Sequence, residues 1–292
     1  MEEELRYFIA YLETVKRASR NTVTSYHSDL VKMAAYLHGQ GIDSVERVSP
    51  TALNAYVLKL EGSGMAASTI SRYIASMKAF FEYLLREHRI QSDPAFPLKA
   101  PRVEKKEPGI LTVQEMEYLL EQPSVHSPKG FRDKAMLELL YATGMRVSEL
   151  IRLQVEDVNL RFGWVLCRDE ERERMVPFGA AAGKALMQYL ERGRNAFVRE
   201  ETGILFLNCS GAPMSRQGFW KILKGYAEKA GIDKDITPRM FRHSCAAHMA
   251  AGGAGMHTIQ ELLGYADPTA AHIYAGFQPN MKVEYSKVHP RG

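Results

Sequence analysis

Apolar residues recur at helical spacing from the start of the chain. Leu5, Phe8, Ile9 and Leu12 mark one face of a helix in EEELRYFIAYLETVK, residues 2–16. Residues 21–41 open on Asn21, a capping residue type, and end in a glycine. Residues 49–64 begin Ser-Pro and are stopped by Gly62 and Gly64. The longest pattern covers residues 67–90, where Ile70, Tyr73, Ile74, Met77, Phe80, Phe81 and Leu84 form a wide apolar stripe. The spacing predicts four helices, no strand, and a helical N-terminal domain over residues 1–92.

The pattern then lapses. Residues 93–109, DPAFPLKAPRVEKKEPG, hold four prolines and no hydrophobic period, which predicts an extended interdomain linker. From residue 110 the helical spacing resumes, in residues 111–123 and 130–144, and again at once in 145–153. Residues 163–179 read differently: an apolar strand, a charged tip and a second strand ending Val-Pro, the pattern of a β-hairpin. Residues 180–197 return to helix, 204–208 suggest a further short strand, and helices continue beyond. The fold class expected is mainly α with a small β-sheet in a C-terminal domain, residues 110–292.

Composition narrows the picture. The 292 residues suffice for about two domains, and 46% hydrophobic with 25% charged residues describes a globular chain. The first residues are acidic where a secretory leader is basic, and no apolar run approaches the ~18 residues of a membrane span, so neither leader nor membrane anchor is expected. Three widely spaced cysteines, Cys167, Cys209 and Cys245, fit reduced thiols in the cytoplasm better than a disulfide framework. A net charge of +4 and a pI near 8.8 permit nucleic-acid binding without demanding it.

The charge is concentrated in TPRMFRHSCAAHMA, residues 237–250, where Arg239, Arg242 and His243 crowd a helix start. Arg146 stands just past Gly144 at a helix restart, a place suited to an anion, and Tyr274 lies near the end of the chain. Taken singly, Arg146 reads as an ion pair with Glu149, and Tyr274 as one packed tyrosine among 14. Taken together, two guanidiniums can clamp the oxygens of one phosphodiester, and a tyrosine hydroxyl can attack it. A phenol titrates near ~10, so positive charge must help it ionise. The resulting phosphotyrosyl bond conserves the energy of the broken bond, and no cofactor or metal is needed to rejoin the strand. His243, Cys245 and His248 do not have metal-ligand spacing, and His243 is expected to pack or hydrogen-bond within its domain.

Three strings, LLYATGMRVSELIRL, TPRMFRHSCAAHMAAGGAGMHTIQELLGYAD and TAAHIYAGF, occur in this order. They closely resemble the signature boxes of the tyrosine recombinases, the phage integrase family, and in particular their Xer-type members. The resemblance implies a helical core-binding (SAM-like) domain, a linker and a catalytic domain acting on double-stranded DNA as a tetramer. It makes Arg146 and Arg242 the catalytic arginines and Tyr274 the nucleophile of a 3′-phosphotyrosyl intermediate. It also implies that residues 280–292 dock on a neighbouring subunit. Three positions depart from the family pattern. Arg168 or Asp169 falls where a hairpin lysine usually protonates the leaving oxygen, Arg239 replaces a histidine, and Tyr265 replaces another that binds the phosphate. Arginine is a poor proton donor and cannot accept a proton, so Arg239 reads as an added clamp that would lower the Tyr274 pKa. Two alternatives follow: a cleavage-impaired DNA-binding protein or partner subunit of the same fold, and a structural or interaction protein. Candidate DNA contacts are Arg102, Lys105 and Lys106 in the linker, the helix Ser68–Lys78, and Arg216, Gln217 and Lys221 on a later helix.

Overall fold

The structure, a computed structural model, describes residues 1–102, 109–169, 173–265 and 268–277. It divides into two compact units, Met1–Lys106 and Glu107–Gly292. Lys105, Lys106 and residues 280–292, to which DNA contact and subunit docking were ascribed, lie outside the described residues.

The first unit is built on α1 (Glu2–Thr14), α2 (Arg20–His38), α3 (Pro50–Gly62) and α4 (Ala67–Arg86). The whole expected stripe of α4 is buried, and Phe8 of α1 meets Phe80 edge-on at 5.4 Å between ring centroids. The cap of α2 is Ser19 rather than Asn21: its hydroxyl accepts from the Thr22 amide at 3.2 Å, and Asn21 lies inside the helix. The proline-rich stretch after α4 is not an extended tether at its start. Ala95 and Leu98 are buried in this unit's core, Asp93 accepts from the Ala95 amide at 2.7 Å, and Lys78 donates to the Phe96 carbonyl at 3.3 Å. Prolines space the apolar residues irregularly, so their burial has no period to read. Arg102 is exposed, and Arg72 of the proposed reading helix is ion-paired with the buried Asp29.

The second unit comprises α5 (Val113–Glu121), α6 (Pro128–Thr143), α7 (Val147–Leu150), strands β1 (Val158–Asn159), β2 (Trp164–Arg168) and β3 (Glu173–Pro177), α8 (Ala180–Gln188), α9 (Arg216–Lys229), α10 (Pro238–Ala251) and α11 (Met256–Leu263). A 3-10 helix, Pro268–Phe277, follows. The strands form one antiparallel sheet in the order β1-β2-β3, with Val165 opposite Val176 and Cys167 opposite Arg174. Residues 204–208 make only isolated bridges, Gln154 to Ile204 and Leu207 to Pro213, instead of the expected strand. Helix α6 is central, with Ala135, Met136, Leu137, Leu139 and Leu140 inaccessible to solvent. Its second turn also buries Arg132 and Asp133, paired at 2.7 Å; Arg132 donates to the Leu207 carbonyl and Tyr226 of α9 donates to Asp133. None of the described helices is long and apolar enough to cross a membrane.

Helix α6 ends because Gly144 adopts φ +58°, a left-handed conformation that side chains disfavour. A β-carbon there would stand 2.5 Å from Leu263 and 3.2 Å from the Cys245 sulfur. Gly144→Ala is therefore expected to cost about 1–3 kcal/mol, from backbone strain and overpacking, read as a lower urea midpoint with an unchanged slope.

Candidate active site

Helix α10 begins as its sequence predicts: Thr237 caps it by accepting from the Met240 amide at 3.1 Å, and Pro238 occupies the first turn. One turn in, Arg242 is buried, with 7% of its surface accessible. Its guanidinium donates to the Gly144 carbonyl at 2.7 Å and to the Leu263 carbonyl at 2.5 Å, and lies over the Tyr265 ring at 5.0 Å. It thereby joins the end of α6, the end of α11 and α10. Three of its five N–H donors remain outside those two bonds. Burial pulls its pKa down from the ordinary guanidinium range, and Tyr265 acts against that fall.

Arg146 stands at the turn between α6 and α7. Its amide donates to Glu149 at 2.6 Å, so the carboxylate of Glu149 already occupies this helix start, where an external anion was expected. The Arg146 guanidinium pairs closely with Asp169 and lies 3.8 Å from Glu149. Glu149 is buried because it holds a second arginine, Arg174 of β3, which also donates to the Leu262 carbonyl at 3.0 Å. Arg174 was missed in the sequence. Strand alternation could have found it, since it shares the inward face with Val176 two residues on, an unusual place for an unpaired charge. Gly264 admits it: a β-carbon there would stand 3.0 Å from the guanidinium.

Tyr274 is fully buried. Ala246, Ala247 and Ala250 present a small-residue face on α10, against which Tyr274, Ile259 and Leu263 pack. Its hydroxyl lies 3.3 Å from the Tyr265 hydroxyl and in close contact with Nδ1 of His243. Burial, first, and the hydrogen bond to Tyr265 raise the Tyr274 pKa well above that of a free phenol, while Arg242 pulls it down. The expected lowering by Arg239 is thus reversed. Arg239 is exposed, and its Nε donates instead to Nε2 of His243 at 3.2 Å. His243 titrates at about 4, because burial and then Arg239 and Arg242 oppose its protonation. It is neutral at neutral pH.

Arg146, Arg242, Tyr265, His243 and Tyr274 therefore lie around one place, although α10 alone supplies two of them. Arg146 and Tyr265 line a groove of about 770 Å³ together with Asp169, Arg174 and Trp164. Arg168 is not brought there: its guanidinium turns to Asp157 and Glu173. Arg216, Gln217 and Lys221 are exposed on α9, whose Phe219 and Leu223 face the core. His248 donates to the Leu111 carbonyl at 2.8 Å and accepts from Tyr141 at 2.9 Å, while Cys245 is buried, its thiol pushed up to about 12. Among the described residues no cluster of histidine, cysteine or carboxylate side chains could hold a metal ion.

Two family models match the chain: the phage integrase family over residues 110–281, and the phage integrase N-terminal SAM-like domain over residues 5–88. Tyrosine recombinase XerD of Halalkalibacterium halodurans is 38% identical, with 100% of this chain and 99% of that protein covered. Tyrosine recombinase XerC of Herpetosiphon aurantiacus is 40% identical, with 100% and 96% covered. Among solved structures, the XerH site-specific recombinase bound to a palindromic difH substrate superposes with a TM-score of 0.74 over 96% of this chain and 84% of that one. At 19% identity that likeness speaks for the fold. With both units matched in order and relatives alike from end to end, the chain is a member of the phage integrase family, of the Xer-like tyrosine recombinase kind.

Proposed function

We propose that this chain is a site-specific DNA recombinase that breaks and rejoins double-stranded DNA through a 3′-phosphotyrosyl intermediate on Tyr274. The observation that carries the reading is the junction at Tyr265, whose ring meets the Arg242 guanidinium and whose hydroxyl meets that of Tyr274, beside a groove lined by Arg146. In cleavage the Tyr274 oxygen bonds to phosphorus and the bond from phosphorus to the 5′ oxygen breaks. The tyrosyl proton leaves to solvent by way of Tyr265, and the departing 5′ oxygen takes a proton from water. Arg242 and Arg146 stabilise the charge that gathers on the non-bridging oxygens. Rejoining is the reverse, with a 5′ hydroxyl attacking the phosphotyrosyl bond, and needs no ATP or metal.

Two features set the rate. Tyr274 is buried, so a phosphate has to be brought to its hydroxyl where that lies, beside Tyr265 and His243. Arg168 and Arg239 are engaged with other side chains and are unsuited to proton transfer, so the step runs on electrostatics with weak general acid–base help. Such help is worth about 10²–10⁴-fold elsewhere, and slow cleavage is expected here. The likeness to Xer proteins supports action in the cytoplasm by a tetramer holding two duplexes, with Arg102 and the exposed face of α9 on the backbone and bases.

A nicked substrate that traps the cleaved state should give a covalent protein–DNA adduct, absent in Tyr274→Phe and about 10²–10³-fold slower in Arg242→Ala. Retention of the adduct by Tyr274→Phe would refute the assignment of the nucleophile. Binding should fall steeply as salt rises. Asp169 engages Arg146 where a phosphate would sit, so Asp169→Asn should tighten DNA binding about 2–10-fold at low salt, read by gel shift.

A further inference from the structure

His243 offers two ring nitrogens to two partners, and one of them can only donate. The Arg239 Nε–H is directed at Nε2, and arginine has no acceptor. Nε2 must therefore be the unprotonated nitrogen. A neutral imidazole carries one hydrogen, so that hydrogen is on Nδ1, the atom in contact with the Tyr274 hydroxyl. Among the described residues, the groups facing His243 are Arg239 and Arg242 from its own helix and Tyr274 from the 3-10 helix, with Tyr265 behind it. None is an acid able to place a proton on Nε2.

Resting on the recombinase reading above, we propose that Arg239 locks His243 as the Nδ1–H tautomer, making His243 a hydrogen-bond donor to the Tyr274 oxygen and not the base that removes its proton. The relay Arg239→His243→Tyr274 then stabilises the oxygen in its phenolate form. The same donor receives the tyrosyl oxygen when it leaves phosphorus during rejoining. The Tyr274 proton, barred from Nδ1, is directed to Tyr265, 3.3 Å away. Arg239 is a positioning residue in this arrangement, acting on Tyr274 only through the imidazole. The arginine that displaces the family's histidine thus has a specific use: an acceptor at that position could not hold Nε2 unprotonated.

Two substitutions of the histidine separate donor from base. The side-chain amide introduced by His243→Asn carries an N–H at nearly the place of Nδ1 and cannot take up a proton, whereas the methyl group of His243→Ala offers nothing. If His243 is a donor, adduct formation in His243→Asn should fall no more than about 5-fold, and in His243→Ala about 10²-fold. Nitrogen-15 shifts of the histidine-labelled full chain should show Nδ1 protonated and Nε2 bare. That signature should persist from pH 8 to about 5 and give way to imidazolium only near the depressed value of about 4, since protonation is opposed in the fold. Arg239→Lys should keep the signature, and Arg239→Met should lose it. Ultraviolet titration against Tyr274→Phe should place Tyr274 ionisation higher in His243→Ala than in His243→Asn. An Nε2–H signature in the wild-type protein, or His243→Asn as inactive as His243→Ala, would overturn the relay. Absence of any adduct with the wild-type protein would overturn the recombinase reading alone, because the nitrogen shifts and the tyrosine titration judge the relay without DNA.

Discussion

The buried guanidinium of Arg242 is the interaction on which the rest of the catalytic unit turns. A charge taken out of water is tolerated only when its donors are satisfied. Here the acceptors are two carbonyls at helix ends, Gly144 after α6 and Leu263 at the close of α11. Helix C-terminal carbonyls lack intrahelical partners and carry partial negative charge, so they suit a cation. Arg242 therefore satisfies the ends of two helices with two of its five donors. Removing it would leave two buried acceptors orphaned and separate the turn that carries Arg146 from the segment that carries Tyr265. The packing of three helix ends thus depends on one side chain.

A second arginine repeats the arrangement at the sheet. Arg174 reaches from β3 to the Leu262 carbonyl and to Glu149, whose carboxylate also receives the Arg146 amide. The hairpin is thereby tied to the same helix end as α10. Glu149 neutralises part of the positive charge that four arginines bring to this region. Asp169, on the exposed side, does the same for Arg146, which lines the groove. The region is thus not uniformly basic, and any anion reaching Arg146 would compete with a carboxylate.

The electrostatics around Tyr274 show why nearby arginines do not by themselves make a reactive phenol. Burial outweighs the attraction of Arg242 and raises the tyrosine pKa, and the same burial, aided by two guanidiniums, keeps His243 neutral. A neutral imidazole between an arginine and a phenol has a single proton to place. Its direction decides whether the histidine acts as a donor or a base, and the arginine decides the direction.

Much of this was legible along the chain. The α4 stripe, the cap of α10 at Thr237, the hairpin and the break at Gly144 follow from period, capping chemistry and the need for a left-handed residue, all local properties. Residue types able to clamp a phosphate and to attack it stand at Arg146, Arg242 and Tyr274, within the family strings. The rest was settled by packing. That Arg168 turns away to Asp157, that Arg239 reaches His243 and not Tyr274, that Arg174 is a structural partner of Glu149, and that residues 95–98 join the first core all depend on which surfaces meet in space. Sequence spacing fixes which face of an element a side chain occupies, because backbone geometry is periodic. It does not fix what stands opposite, and the partner and the depth of burial set each charge and each proton in this site.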